Sequence, residues 1–426
     1  MISKLKERID FARFCITHKR SLSAIRRWQE RRLRQLVRHA AHAVPLWKDV
    51  FAERGIDPDS INSIEDLARI PVTRKETFIG KMPEEYIDST RPHNSFWYST
   101  SGTSGTPFTF LMSEHALSPQ YADFASLRFL WWRGYPLSRL ATVNVARIKI
   151  RGPSLEHRLF VPVADFQTDP EGVFAELRSF RPDIVMGYPS ILLDMARMLA
   201  HDPALFPERL RFALSFGEML LPPARKIINE AFGTEVYDRY GCEEIGVIGI
   251  ECAQHNGFHI NSESVVVEVT DENFNPLPAG RNGKIVVTDL FNFGMPFIRY
   301  ETGDTGIITN EACTCGLRSP RIWIEGRYSA YLTFGGRRYH HLEFDGVLDR
   351  FMNSIVQYQV VKRSEDSVIV RIVAGPALDA GILADIRERM KELMGEGITI
   401  DTEQVSKIPR TPTGKSKIVV DENIDQ

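Results

Sequence analysis

From Ile2 to about Val44 the chain has no proline or glycine, and Leu22, Ile25, Trp28, Leu33 and Leu36 recur at spacings of three to five positions. That spacing predicts helix with one buried face. Between about 140 and 300 the pattern alternates. ATVNVARIKI, DIVMGYP, RFALSFG, EVYDRYG, SVVVEVT and KIVVTDL read as strands, and Gly172 to Ser179, Ser190 to His201 and Pro222 to Phe232 read as helices between some of them. Strands separated by helical periods argue for a layered α/β core with largely parallel pairing. The turns Pro278-Ala-Gly and Arg281-Asn-Gly predict antiparallel pairing among the later strands. Beyond Gly326 come a Gly335-Gly336 turn, the strands YQVVKR and SVIVRIVAG, a helix from Leu383 to Leu393 and a strand near Ile398. The expected fold is α/β: a large multi-layer domain of mixed sheets and helices over residues 1–326, then a small, mobile α+β domain over 327–426.

Composition narrows the function classes. Lys+Arg number 53 against 55 Asp+Glu, a formal charge of -2, so no global attraction to nucleic acid or anionic lipid is implied. The first helix is locally basic, with Arg26, Arg27, Arg31, Arg32, Arg34 and Arg38. It reads either as a dock for an acidic surface or as a charged face covering the rest of the fold. No apolar stretch approaches the ~18 residues that span a bilayer, and the start MISKLKERIDFARF is too charged for a signal peptide. Five cysteines, an odd number, do not form a secreted disulfide framework, so a cytoplasmic location is expected.

Candidate chemistry is densest in the run Ser99 to Pro107. Two glycines free the backbone to curl its N–H groups around an anion, and Thr100, Ser101, Thr103 and Ser104 supply hydroxyls, with Gly102 and Gly105 as the pivots. It reads as a phosphate cradle, and it is neither a Walker loop nor a dinucleotide GxGxxG. Downstream follow Phe216-Gly-Glu-Met219, Tyr240-Gly-Cys-Glu-Glu244, Arg299-Tyr-Glu-Thr-Gly-Asp304, Glu325-Gly-Arg327 and Pro409-Arg-Thr-Pro-Thr-Gly-Lys415. In this order the motifs resemble those of the adenylate-forming superfamily, and most closely its branch of phenylacetate-CoA ligases, capsule-biosynthesis proteins and coenzyme F390 synthetase-like proteins. The resemblance runs from about Arg38 to the C-terminus.

That resemblance implies roles. Residues 100 to 105 would hold the β and γ phosphates of ATP, although the lysine usual near the loop's end is absent around Thr106 and Phe108. Gly217, Glu218, Tyr237, Tyr240 and Gly241 would form the adenine slot. Glu244 would bind Mg²⁺, with Glu243 where the family has Ser or Thr. Asp304 would accept both ribose hydroxyls, and Arg327 would contact ribose and phosphate at the start of the mobile domain. The stretch Tyr328-Ser329-Ala330 lacks the usual acidic hinge. Lys415 would bridge the reacting carboxylate and the α-phosphate, where negative charge builds during attack. Phe129 to Tyr135 and Gly187-Tyr-Pro-Ser190 are aromatic near the place where the family binds its acid, which suggests a flat or apolar carboxylate.

A second constellation is Cys252, His259, Cys313 and Cys315: three thiolates and an imidazole suit a closed tetrahedral Zn²⁺ site, with His255 as a competing ligand. The plain alternative is buried cysteines acting as small apolar residues. Cys15 and Cys242 read as packing residues.

The expected function is therefore activation of a carboxylic acid by MgATP to an acyl adenylate, then transfer to coenzyme A as a thioester. Transfer to an amine, making an amide, stays open, because no sequence feature separates the two acceptors. From another class, a noncatalytic nucleotide-binding or scaffold protein fits the missing loop lysine and altered hinge, whereas Glu244, Asp304, Arg327 and Lys415 together argue against it. A homodimer is compatible with all three.

Overall fold

The computed structural model describes residues 21–90, 95–99, 109–113, 140–144, 158–206, 209–327, 331–351, 354–375, 377–409 and 417–423. The cradle residues 100–105, the aromatic stretch Phe129 to Tyr135, Cys15, the segment 328–330 and Lys415 lie outside the described residues. The chain divides into two compact units: residues 1–138, 150–156 and 237–324, and residues 139–149, 157–236 and 325–426.

In the first unit, helix Leu22–Ala43 is capped by Ser21, whose hydroxyl accepts the Ala24 N–H. Of its predicted apolar face, Ile25, Leu33 and Leu36 are buried, the last two together with Val37 and Ala40 against Trp47 and Ile298, while Leu22 at the start of the helix is 43% exposed and Trp28 half-buried. Several arginines serve the same docking. The Arg32 guanidinium lies 4.6 Å from the Phe291 ring centroid and donates to the Leu290 carbonyl, Arg34 donates to the Asn62 carbonyl at 2.7 Å, and Arg38 pairs with Asp59 at 2.6 Å. The basic helix thus directs much of its charge at its own chain.

Strands of this unit follow the order Val265–Thr270, Asn282–Asp289, Tyr300–Thr309, Arg321–Arg327, Phe258–Ile260, Gly246–Glu251 and Val236–Cys242. Each pairing whose register is resolved here is antiparallel, as the turn signals predict. One irregularity shapes the site. Glu301 faces Val286 and Thr305 faces Lys284, so Thr302, Gly303 and Asp304 stand opposite Ile285 alone. Gly303, at φ +82°, permits this bulge, which turns Asp304 out of the ladder. A separate hairpin pairs Ser95–Ser99 with Thr109–Ser113.

The second unit holds four parallel strands in the order Phe212–Phe216, Ile184–Gly187, Leu140–Asn144 and Arg158–Pro162. Helices Pro170–Phe180, Pro189–His201 and Pro222–Phe232 each carry proline in the first turn, where the missing N–H removes no bond, and bury Phe174, Ile191, Leu192 and Ile228 in one core. The helix Pro222–Phe232 has the predicted bounds and stops at Gly233, which is left-handed at φ +61°. Farther along, Gly335 (φ +54°) and Gly336 (φ +82°) turn the hairpin Tyr331–Phe334 to Arg337–His340, both central positions needing positive φ. A four-stranded sheet, ordered Thr399–Val405, Ser367–Ala374, Ile355–Ser364 and Val419–Asp421, packs Val360 and Val370 on Ile386 and Met390 of helix Ala380–Met394. The mixed α/β class expected from the sequence is the class observed.

Candidate active site

Glu244 lies in the tight turn between strands Val236–Cys242 and Gly246–Glu251. A Cβ on Gly241 would sit 2.1 Å from the Gly246 carbonyl oxygen, so backbone closeness alone requires glycine there. Two hydrogen bonds then tie this turn to the bulged strand. The Tyr300 hydroxyl donates to Glu244 Oε1 at 3.0 Å. The Tyr240 hydroxyl donates to Asp304 Oδ2 at 2.7 Å and lies 3.3 Å from Thr302 Oγ1. Asp304 is 7% exposed, and its backbone N–H donates to Thr302 Oγ1 at 3.2 Å. Burial, reinforced by the Asp304 charge, pushes the Tyr240 phenol well above its ordinary pKa; burial and the Glu244 charge do the same to Tyr300. Both phenols therefore remain protonated donors at neutral pH.

Tyr237, expected beside Tyr240 in the adenine slot, is fully buried, and its ring stacks on His255 at 5.2 Å. Tyr240 is half-buried, its ring centroid 6.0 Å from Phe258. Arg327 ends the strand Arg321–Arg327. Sequence reasoning gave no role to Arg299. It is 2% exposed at φ +49°, pairs with Glu268 at 3.2 Å, and donates to the Ile70 and Phe274 carbonyls at 2.8 Å each. These bonds pin the start of the strand that carries Tyr300 and Asp304.

Asn292 was also missed. It is fully buried, donates to the Leu111 carbonyl at 2.9 Å and accepts the Met295 N–H at 3.2 Å, while Met295 Sδ accepts the Leu111 N–H at 3.3 Å. Both outward backbone groups of Leu111 are thereby satisfied, and the hairpin whose strands flank residues 100–108 is fastened to the first unit's core.

In the second unit, Gly217 takes φ +77°, and Glu218 reaches the first turn of helix Pro189–His201. The Ser190 N–H and hydroxyl donate to Glu218 Oε2 and Oε1, each at 3.0 Å. A carboxylate at a helix N-terminus is favoured by the unsatisfied N–H groups and the helix dipole. Ser190, Glu218, Met219, Tyr358 and Lys417 line a small cleft of about 40 Å³. Tyr188, from the aromatic stretch expected near the acid, is 4% exposed with its ring 5.0 Å from Phe216.

The cysteine and histidine cluster assembles as the spacing suggested. The ligand atoms of Cys252, His259, Cys313 and Cys315 all lie within 4.8 Å of one another. Cys252 Sγ is 3.7 Å from Cys313 Sγ, close to the roughly 3.8 Å edge of a tetrahedron with 2.3 Å Zn–S bonds. His259 Nε2 is 3.3 Å from Cys315 Sγ, while its Nδ1 is 3.2 Å from Ser319 Oγ, an outer contact that orients the ring. Burial lifts the Cys252 thiol and pushes Cys315 up to about 12, so a bound divalent cation is what would bring both to thiolate. His255, the competing ligand, instead faces Glu251 at 3.0 Å. The donor set fits zinc, and the hard oxygens of Glu244 fit magnesium.

Residues 336–422 match the family model for the CapK C-terminal domain. The chain is 28% identical over 357 residues to a phenylacetate-coenzyme A ligase of Thermus thermophilus, covering 81% of this chain and 79% of that one. It is 24% identical to the phenylacetate-coenzyme A ligase of Escherichia coli K12, covering 94% and 95%. Among solved structures, a 2-hydroxyisobutyryl-CoA ligase in its postadenylation state superposes with a TM-score of 0.77 at 22% identity, covering 95% of this chain and 91% of that one. With the motifs in collinear order, the chain is similar to phenylacetate-CoA ligases over most of its length, matches CapK proteins in its C-terminal domain, and shares its fold with a solved acyl-CoA ligase.

Proposed function

We propose that this protein is an AMP-forming acid ligase that converts a carboxylic acid and MgATP to an acyl adenylate and pyrophosphate, then passes the acyl group to coenzyme A. The observation that carries this reading is the pairing of Tyr240 with Asp304 and of Tyr300 with Glu244, which ties together the two motifs assigned to ribose and magnesium. In the first step a carboxylate oxygen attacks the α-phosphorus and pyrophosphate leaves. In the second the thiolate attacks the acyl carbonyl and AMP leaves. Asp304 would accept from the ribose hydroxyls, and Glu244 would hold Mg²⁺, which screens phosphate charge when bound. Lys415 and residues 100–105 keep the roles the resemblance gives them, and residues 327–426 act as the moving lid.

Cys252, His259, Cys313 and Cys315 would hold one structural zinc, which ties the Gly246–Glu251 and Phe258–Ile260 strands to the segment before Arg321–Arg327. Need for ATP, coenzyme A and reduced thiols favours a cytoplasmic setting. The aromatic character of the acid rests on Phe129 to Tyr135 and Tyr188. The test is incubation of the protein with ATP, magnesium, coenzyme A and a panel of aromatic and aliphatic acids, followed by mass analysis. An acyl-CoA product supports the reading. An amide formed only when amines are supplied would replace coenzyme A with an amine as acceptor, and no product from any acid would favour the noncatalytic class.

A further inference from the structure

Two motifs about sixty residues apart share one layout: Tyr240 precedes Glu244 by four positions, and Tyr300 precedes Asp304 by four. The hydrogen bonds cross between them. Tyr240 holds the acid of the second motif and Tyr300 holds the acid of the first. The strands carrying the two tyrosines are not neighbours in the sheet order, because Gly246–Glu251, Phe258–Ile260 and Arg321–Arg327 lie between them. The contacts are therefore not a by-product of pairing between neighbouring strands.

Resting on the ligase reading above, we propose that Tyr240 and Tyr300 are positioning residues for nucleotide capture: each fixes the carboxylate that the opposite motif offers to the ligand. Asp304 projects from a three-residue bulge and Glu244 from a turn, so side-chain partners rather than ladder pairing set their orientation. A phenol bonded to one oxygen sets the carboxylate plane before the ligand arrives, and a carboxylate has about four lone-pair sites, so the bond does not exhaust it. Thr302 adds to the first latch, with Oγ1 accepting the Asp304 N–H and lying 3.3 Å from the Tyr240 hydroxyl. The division of labour follows from the partners. Tyr240 serves the acid assigned to ribose, and Tyr300 serves the acid assigned to magnesium.

The experiment compares Tyr240→Phe, Tyr300→Phe and Thr302→Val with the parent protein by calorimetric titration of AMP without magnesium and of ATP with and without magnesium, alongside urea unfolding midpoints. Tyr240→Phe is expected to weaken AMP about tenfold, the loss of one well-placed hydrogen bond to a charged group. Thr302→Val, which leaves both tyrosines in place, is expected to weaken AMP in the same direction by a smaller factor, and it keeps the test alive if the Phe variant unfolds. Tyr300→Phe is expected to leave AMP affinity within about twofold and to cut the magnesium-dependent gain in ATP affinity about fivefold. A purely structural role would shift unfolding midpoints and spare this split. Parent binding with no change in the variants, or with both tyrosine variants losing both readouts equally, would overturn the positioning role alone. Failure of the parent to bind AMP or ATP would overturn the ligase reading, and this inference with it.

Discussion

Ser190 gives both its backbone N–H and its hydroxyl to the two carboxylate oxygens of Glu218, each at 3.0 Å, so a single side chain closes the first turn of helix Pro189–His201. Ser190 is 2% exposed. Glu218→Ala leaves two buried donors to find other partners, whereas Ser190→Ala removes one donor and keeps the backbone bond. Glu218→Ala should therefore cost about 2 to 3 kcal/mol and Ser190→Ala about 1. Urea unfolding of both variants checks the order, and equal losses would show that Glu218 acts through other contacts.

Asp289 predicts a pH effect on stability. It is 4% exposed, accepts the Phe291 N–H at 2.8 Å, and burial lifts its carboxyl to about 7. In the unfolded chain it titrates near 3.9, about the usual carboxylate value. The folded state thus holds the proton more tightly, and the stability this contributes is full below about pH 4 and lost as pH rises through about 7. Asp289→Asn keeps the acceptor without the charge, so its melting temperature should gain on the parent from pH 5 to about 7 and level off above it. Melting curves across that range decide it, and a constant offset would contradict the burial argument.

The fold was more legible than the site. The bounds of Pro222–Phe232 follow from proline at the start and Gly233 at the end, both local signals. Glu244 and Asp304 stood out only because the motifs that carry them resemble those of adenylate-forming enzymes. Tyr300, Arg299 and Asn292 were not, since their partners are distant: Glu244 lies 56 residues from Tyr300, and Leu111 lies 181 from Asn292. A tyrosine or asparagine bound for such a partner looks in sequence like any core or turn residue. The bulge at Thr302 to Asp304 was equally hidden, because only the register against Ile285 reveals it.

Zinc removal gives a third prediction. Metal analysis of desalted protein should find about one zinc per chain, and Cys313→Ser should lower that content and the melting temperature together. Chelator treatment of the parent should reproduce the drop. A metal-free protein with unchanged stability would favour cysteines that only pack.

Lys415→Ala should leave AMP and ATP affinity nearly intact and lower adenylation about 100- to 1,000-fold, because its assigned charge acts on the reacting carboxylate and α-phosphate as negative charge builds. Single-turnover formation of the adenylate, set beside calorimetric affinity, separates the two effects. A variant that loses affinity and rate equally would make Lys415 a ground-state binding residue instead.

The central claim is that nucleotide chemistry here is acid-dependent and AMP-forming. The most direct measurement follows AMP and pyrophosphate release from MgATP while carboxylic acids are supplied one at a time. The account predicts that at least one acid produces AMP and pyrophosphate in equal amounts, that none forms without acid, and that Asp304→Ala suppresses both products. Release of ADP and phosphate, or no turnover with any acid by protein that binds AMP, would contradict it.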